Sequence, residues 1–109
     1  MKSTTMKTRE WTKRDDFNSK AAQSLNEIAG QVITVKRLAI GTDLNENNEE
    51  IETATFIAEE GVYGTISSTA ISMCEDLVDI IDDEGPQKVR VNMRKSNGGR
   101  DYITLELVD

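Results

Sequence analysis

Alternation of apolar and polar positions is clearest near the end of the chain. Val89, Val91 and Met93 fall on one face of a strand, and Ile103, Leu105 and Leu107 repeat the pattern after a break. Both sets must face one core, and that requirement selects the turn between them. A two-residue Asn-Gly turn would set Met93 opposite Tyr102 and send the two sets to opposite faces. A three-residue loop, Asn97-Gly98-Gly99, pairs Met93 with Ile103 and Val91 with Leu105. With that loop the outer face pairs Arg94 with Tyr102, Asn92 with Thr104 and Arg90 with Glu106, and Lys95 and Arg100 flank the tip.

Upstream, QVITVKRLAI at 31–40 is rich in β-branched and aliphatic residues and predicts a strand of unusual parity. Ile33 and Val35 share one face while Leu38 and Ile40 share the other, so burying both pairs requires a bulge or bend near Lys36 and Arg37. GTDLNENNEE reads as a polar loop, and IETATFIA and VYGTIS as two further strands, with the face of Phe56 undecided. Ile71, Cys74, Leu77, Val78 and Ile81 then form the apolar stripe of a helix, capped by Ser67, Ser68 or Thr69 and stopped by Gly85-Pro86. Acids in its last turn oppose the helix dipole and call for solvation or a partner. Nearer the N-terminus, Phe17, Ala21, Leu25 and Ile28 recur at helical spacing, which predicts a helix over 16–28, capped by Asp15 or Asp16 and ended by Gly30. Residues 1–14 show no period and read as a basic N-terminal arm, leaving 15–109 as a single domain.

The predicted order is β-β-β-α-β-β, mainly β with one or two helices. A bent first strand, a helix between the third and fourth strands and a closing hairpin match an OB-fold-like five-stranded Greek-key barrel. The alternative is a β-grasp-like α+β sheet, which requires VYGTIS to be a continuation rather than a strand.

Composition narrows the chemistry. The chain has no histidine and one cysteine, Cys74, so it lacks an internal disulfide, the common zinc ligands and the usual base for an activated nucleophile. Its acids lie in dense surface-type runs, so the expectation is a non-enzymatic protein with no metal and no cofactor. The apolar runs are far short of a membrane span and the N-terminus has no apolar secretion core, which makes a cytoplasmic location without membrane attachment the expectation.

The net charge of -7 is unevenly distributed. Residues 1–20 carry six cations against three acids, 21–85 two against fourteen, and 86–102 five against one. An acidic chain with a basic hairpin can still attract an anion locally. Lys88, Arg90, Arg94, Lys95 and Arg100 can track phosphates and Tyr102 can stack on a base, the two requirements of single-strand binding. The same cations equally suit a solvated strand face in which Arg90 pairs with Glu106 and Arg94 covers Tyr102. Trp11, among Arg9, Lys13 and Arg14, either packs on the domain or wraps nucleic acid from the arm. Tyr63, beside Gly61 and Gly64, is either exposed to a ligand or fills the barrel mouth. Lys36 and Arg37 join the groove if the bulge turns them outward.

From Gly61 onward the chain resembles small single-stranded DNA-binding proteins of tailed bacteriophages, in which a Tyr-x-Thr-x-Ser stretch leads into a helix and a final basic hairpin carries a Gly-Arg-aromatic-Ile/Leu run. Tyr63, Thr65, Ser67, Lys95, Gly99, Arg100, Tyr102 and Ile103 carry the likeness. The resemblance implies an OB-like protein that coats displaced single-stranded DNA during phage replication or recombination in the host cytoplasm. It also leaves a homo-oligomer or replication and recombination proteins as further partners. The competing reading is an acidic DNA mimic that binds a host protein through the acidic middle.

Overall fold

The computed structural model describes residues 3–108, with only the backbone of Ser3. Its elements are β1 (Ser3–Lys7), α1 (Lys13–Ser19), β2 (Gln23–Ser24), a 3-10 turn (Leu25–Ile28), β3 (Val32–Leu44), β4 (Glu50–Ala58), β5 (Val62–Thr65), α2 (Ser68–Glu84), β6 (Gln87–Lys95) and β7 (Asp101–Leu107). The sheet runs β2-β5-β4-β3-β6-β7, with β1 also paired to β3.

The odd parity of β3 is resolved at Lys36. Val35 pairs with Ala58 and Arg37 with Ile57, leaving Lys36 as the extra residue of a bulge. The bulge turns Ile33, Val35, Leu38 and Ile40 into one core, and it curls the sheet into an OB-like half-barrel with α2 across the interior. β6 covers only Val32–Val35 of β3, so the same edge over Ala39–Thr42 would be left open. β1 fills it, pairing Lys7 with Ala39 and Ser3 with Thr42. Of the arm expected over 1–14, Ser3–Lys7 is therefore a sheet strand and Lys13 and Arg14 open α1, while residues 1 and 2 lie outside the described residues. Because Val62–Thr65 is a strand between β4 and β2, the β-grasp alternative fails.

Three other expectations change. The helix expected over 16–28 ends at Ser19, and Phe17 is 71% exposed. Its cap is Thr12: the Asp15 N–H donates to Thr12 Oγ1 at 3.2 Å, and the Thr12 N–H donates to Asp15 Oδ2 at 3.1 Å. Leu25 and Ile28 are buried from a separate 3-10 turn capped by Ser24, whose side chain accepts from the Asn26 N–H at 3.2 Å. GTDLNENNEE is not all loop, because Gly41–Leu44 extends β3 against Glu50–Thr53 and only Asn45–Glu49 turns.

In α2 the expected stripe is buried, with Ser67 as N-cap and Gly85 at φ 87 as C-cap. Asp82, in the unfavourable last turn, has a partner: it accepts the backbone N–H of Arg9 at 2.9 Å. Barrel closure between β5 and β7 is made by a side chain. Ser67 Oγ donates to the Ile103 carbonyl and accepts the Ile103 N–H, each at 3.2 Å.

Candidate nucleic-acid interface

The β6–β7 hairpin has the expected register: Met93 opposite Ile103, Val91 opposite Leu105, Arg94 opposite Tyr102 and Arg90 opposite Glu106. Its loop is three residues long. The Ser96 N–H donates to the Arg100 carbonyl at 2.9 Å, the Arg100 N–H donates to Ser96 Oγ at 3.2 Å, and Gly99 sits at φ +80, where only glycine is unstrained. Val89, Val91, Ile103 and Leu105 are buried as expected, but Met93, towards the hairpin tip, and Leu107, on the end strand of the sheet, are not.

Opposite that buried side, Lys88, Arg90, Asn92 and Arg94 share one face of β6 with a period of about 6.6 Å. Tyr102 and Thr104 of β7 lie beside them, half-buried. Arg90 approaches Glu106 at 3.3 Å, a pair exposed on both sides and therefore of little energetic weight. Among the described residues Lys88, Arg94, Lys95 and Arg100 have no ion-pair partner. These four charges are available to an external anion.

The remaining sequence candidates lie elsewhere. Trp11 is 7% exposed and packs with Ala39, Ile57 and Val62 on the outside of the β3–β4–β5 curl, its Nε1–H donating to Asp16 Oδ1 at 2.7 Å. Burying this ring on the sheet gives more than a free arm would, so it is a packing residue and not a stacking platform. Tyr63 is 6% exposed within the main core, and Phe56, 1% exposed, lies beside it across the β4–β5 pairing. A Cβ at Gly61 would fall 3.2 Å from the Tyr63 hydroxyl, so that glycine makes room for the ring rather than for a ligand. The bulge turns Lys36 and Arg37 towards a cleft formed with Arg9, Asp82 and Pro86, beside the start of β6 and not at the hairpin tip. Arg37 is also neutralised there: its Nε and Nη2 donate to Asp15 at 2.7 and 3.1 Å. Burial pushes the Asp15 carboxyl up, but the Arg37 hydrogen bonds, the Thr12 N–H and the guanidinium charge outweigh it and hold it below the usual 3.8.

A polar groove that the linear pattern did not assign lies on another part of the sheet. Ser19, Gln23, Ser24, Thr53, Thr55 and exposed Ile66 border a groove of about 340 Å³ between β2, β4 and β5. Alternation of Thr53 and Thr55 along IETATFIA was its only trace in the sequence. Ile66 precedes the Ser67 that clasps Ile103, so this groove adjoins the Tyr102 strand across the closure. Hydroxyls and amides in such a groove suit phosphate and sugar contacts.

The one cysteine takes no part: burial first, then the nearby Glu75 charge, pushes the Cys74 thiol up to about 12, which leaves it inert at neutral pH. Comparison with curated proteins and comparison with solved structures each gave no match. A family model does match: the Phi29-type phage single-stranded DNA-binding protein model spans residues 3–108, nearly the entire chain, and this chain belongs to that family.

Proposed function

We propose that the protein coats displaced single-stranded DNA during phage replication or recombination, holding it on the outer face of the β6–β7 hairpin. Lys88, Arg90, Arg94, Lys95 and Arg100 follow the phosphates, and Tyr102 offers a ring to a base. The observation that supports this reading is the shared face: Lys88, Arg90 and Arg94 alternate along β6 on the side that carries Tyr102, and Lys88 and Arg94 have no ion-pair partner among the described residues. The polar β2–β4–β5 groove extends the path past Ile66, with Thr53 and Thr55 as hydrogen-bonding groups. In OB-folds the second and third strands and the two hairpin loops form the usual oligonucleotide surface. Membership in a single-stranded DNA-binding family favours this reading over the acidic mimic.

Fluorescence anisotropy of labelled single-stranded DNA, duplex DNA and RNA at two salt concentrations tests it. Salt-sensitive binding that prefers the DNA single strand is expected. Equal binding to duplex would refute a base-stacking site, and no binding at low salt would leave the cations as a solvated face.

A further inference from the structure

In α1 the acids are committed to the fold and the cations are not. Asp15 accepts from the Arg37 guanidinium and Asp16 from the Trp11 Nε1–H, contacts that tie the helix to β3 and to the ring packed on Ile57. Lys13, Arg14 and Lys20 are exposed, and none of them reaches a carboxylate at ion-pair distance among the described residues. Phe17 stands between them. Lys13 precedes it by four residues and Arg14 by three, and Lys20, the C-cap in helical conformation, follows by three, so helix spacing puts all three cations on the side of this one ring. The ring is 71% exposed, and Lys20 Nζ lies 5.8 Å from its centroid. The fold leaves it out of the core because the helix stops at Ser19, and Leu25 and Ile28 enter the core from the separate 3-10 turn.

We propose that Phe17 is a second base-stacking platform of this protein, with Lys13, Arg14 and Lys20 on the phosphates beside the stacked base. This rests on the single-stranded DNA reading above and extends it to a helix outside the hairpin. A nucleotide in a single strand presents an uncharged π-face between anions, the counterpart of a ring between cations. A duplex keeps its bases inside the stack and offers the ring no face. An apolar protein surface would have to bury three cations without partners, which is costly. A base that takes the ring displaces the Lys20 ammonium, weakly held at an exposed site, and leaves it to a phosphate. The ring is also presented from a fixed element, since the Thr12–Asp15 capping box and the Asp15–Arg37 pair hold α1 in place and little ordering is lost on binding. Ser19, next to Lys20, borders the polar groove of Thr53 and Thr55, so that groove continues the path from the end of the helix.

The test uses the full-length protein and one mixed-sequence oligonucleotide, as single strand and as duplex. Phe17→Ala should weaken single-strand binding about fivefold or more, while Phe17→Trp stays within about twofold of wild type. Lys13→Ala with Lys20→Ala should lower the salt slope by about 1.4. All these side chains are exposed, so urea midpoints should match wild type. The new tryptophan, open to solvent where Trp11 is buried, should lose fluorescence with the single strand and far less with the duplex. Arg94→Ala with Lys95→Ala, titrated alongside, reports on the hairpin separately. Phe17→Ala binding as tightly as wild type, or an unquenched Phe17→Trp in a complex that the hairpin variant weakens, overturns the proposal and leaves the hairpin reading standing. No binding of the single strand by wild type at low salt overturns both. Self-association in sedimentation that Phe17→Ala abolishes would make the ring's partner a second copy of the chain and overturns the proposal as well.

Discussion

Two hairpins of this protein share one turn and differ in charge. In β3–β4 the Asn45 N–H donates to the Glu49 carbonyl and the Asn48 N–H to the Asn45 carbonyl. In β6–β7 the Ser96 N–H donates to the Arg100 carbonyl and the Gly99 N–H to the Ser96 carbonyl. Each first residue also turns its side chain inward, Asn45 Oδ1 accepting from Glu49 and Ser96 Oγ from Arg100. Each places its fourth residue in the left-handed region, Asn48 at φ 60 and Gly99 at φ +80. Yet the first tip carries Glu46, Glu49, Glu50 and Glu52, and the second Arg94, Lys95 and Arg100. β4 and β6 flank β3 antiparallel, one on each side, and the tips project from its opposite ends. Turn geometry therefore leaves the choice of ligand open, and the charge on the flanking residues makes it.

The largest expected break in this comparison is Arg94→Ala with Lys95→Ala. It should weaken single-stranded DNA binding about tenfold or more across sequences and lower the salt slope by about 1.4. Unchanged titrations at both salts would move the site off the hairpin. A third locus sharpens the contrast, since Arg37 is a cation already taken by a buried acid. Asp15→Ala should cost about 2–3 kcal/mol of stability in urea unfolding with little change in DNA affinity of the folded protein. Asp15 titrates below its usual 3.8, so its contribution is present above that pH and is lost as pH falls through the lower folded value. Asp15→Asn should accordingly flatten the acid limb of the stability profile.

Next in size, Tyr102→Ala should cost about 1–3 kcal/mol of binding and Tyr102→Phe far less. Equal losses would implicate the hydroxyl or the hairpin fold. The turns themselves are tested by Gly99→Ala, expected to cost about 1–2 kcal/mol of stability because alanine is strained at that φ, against Asn48→Gly, expected within a few tenths. Smallest of all should be Glu46→Gln with Glu49→Gln, leaving DNA affinity within about threefold through weak long-range repulsion. A loss as large as that of the basic pair would erase the distinction between the two tips.

Much of this fold was legible from local rules. The period of two in β6 and β7 excludes the two-residue Asn-Gly turn if both apolar sets are to share a face, and the three-residue loop that remains of the two has the observed register. The parity break in QVITVKRLAI calls for a bulge or bend near Lys36 and Arg37, where the structure has it, and the α2 stripe and its Gly-Pro stop matched the observed helix. Of the candidate site, Lys88, Arg90, Arg94 and Tyr102 fell on one face as the alternation requires, with Lys95 and Arg100 beside the tip.

The linear pattern leaves Trp11 and Tyr63 between packing and ligand contact, and Lys36 and Arg37 dependent on the direction of the bulge, because residues near in sequence are not the ones that decide exposure. The open edge of β3 beyond Val35, reached by β1 from about 35 residues away, brings Trp11 onto Ile57. Asp15 meets Arg37 across 22 residues for the same reason. Alternation, parity and turn chemistry act over a few residues, and so the sequence by itself determined strands, register and charged faces. Which edge needed covering, which ring would fill the core and which cation would be neutralised depended on sheet curvature and long-range pairing, and only the tertiary structure decided them.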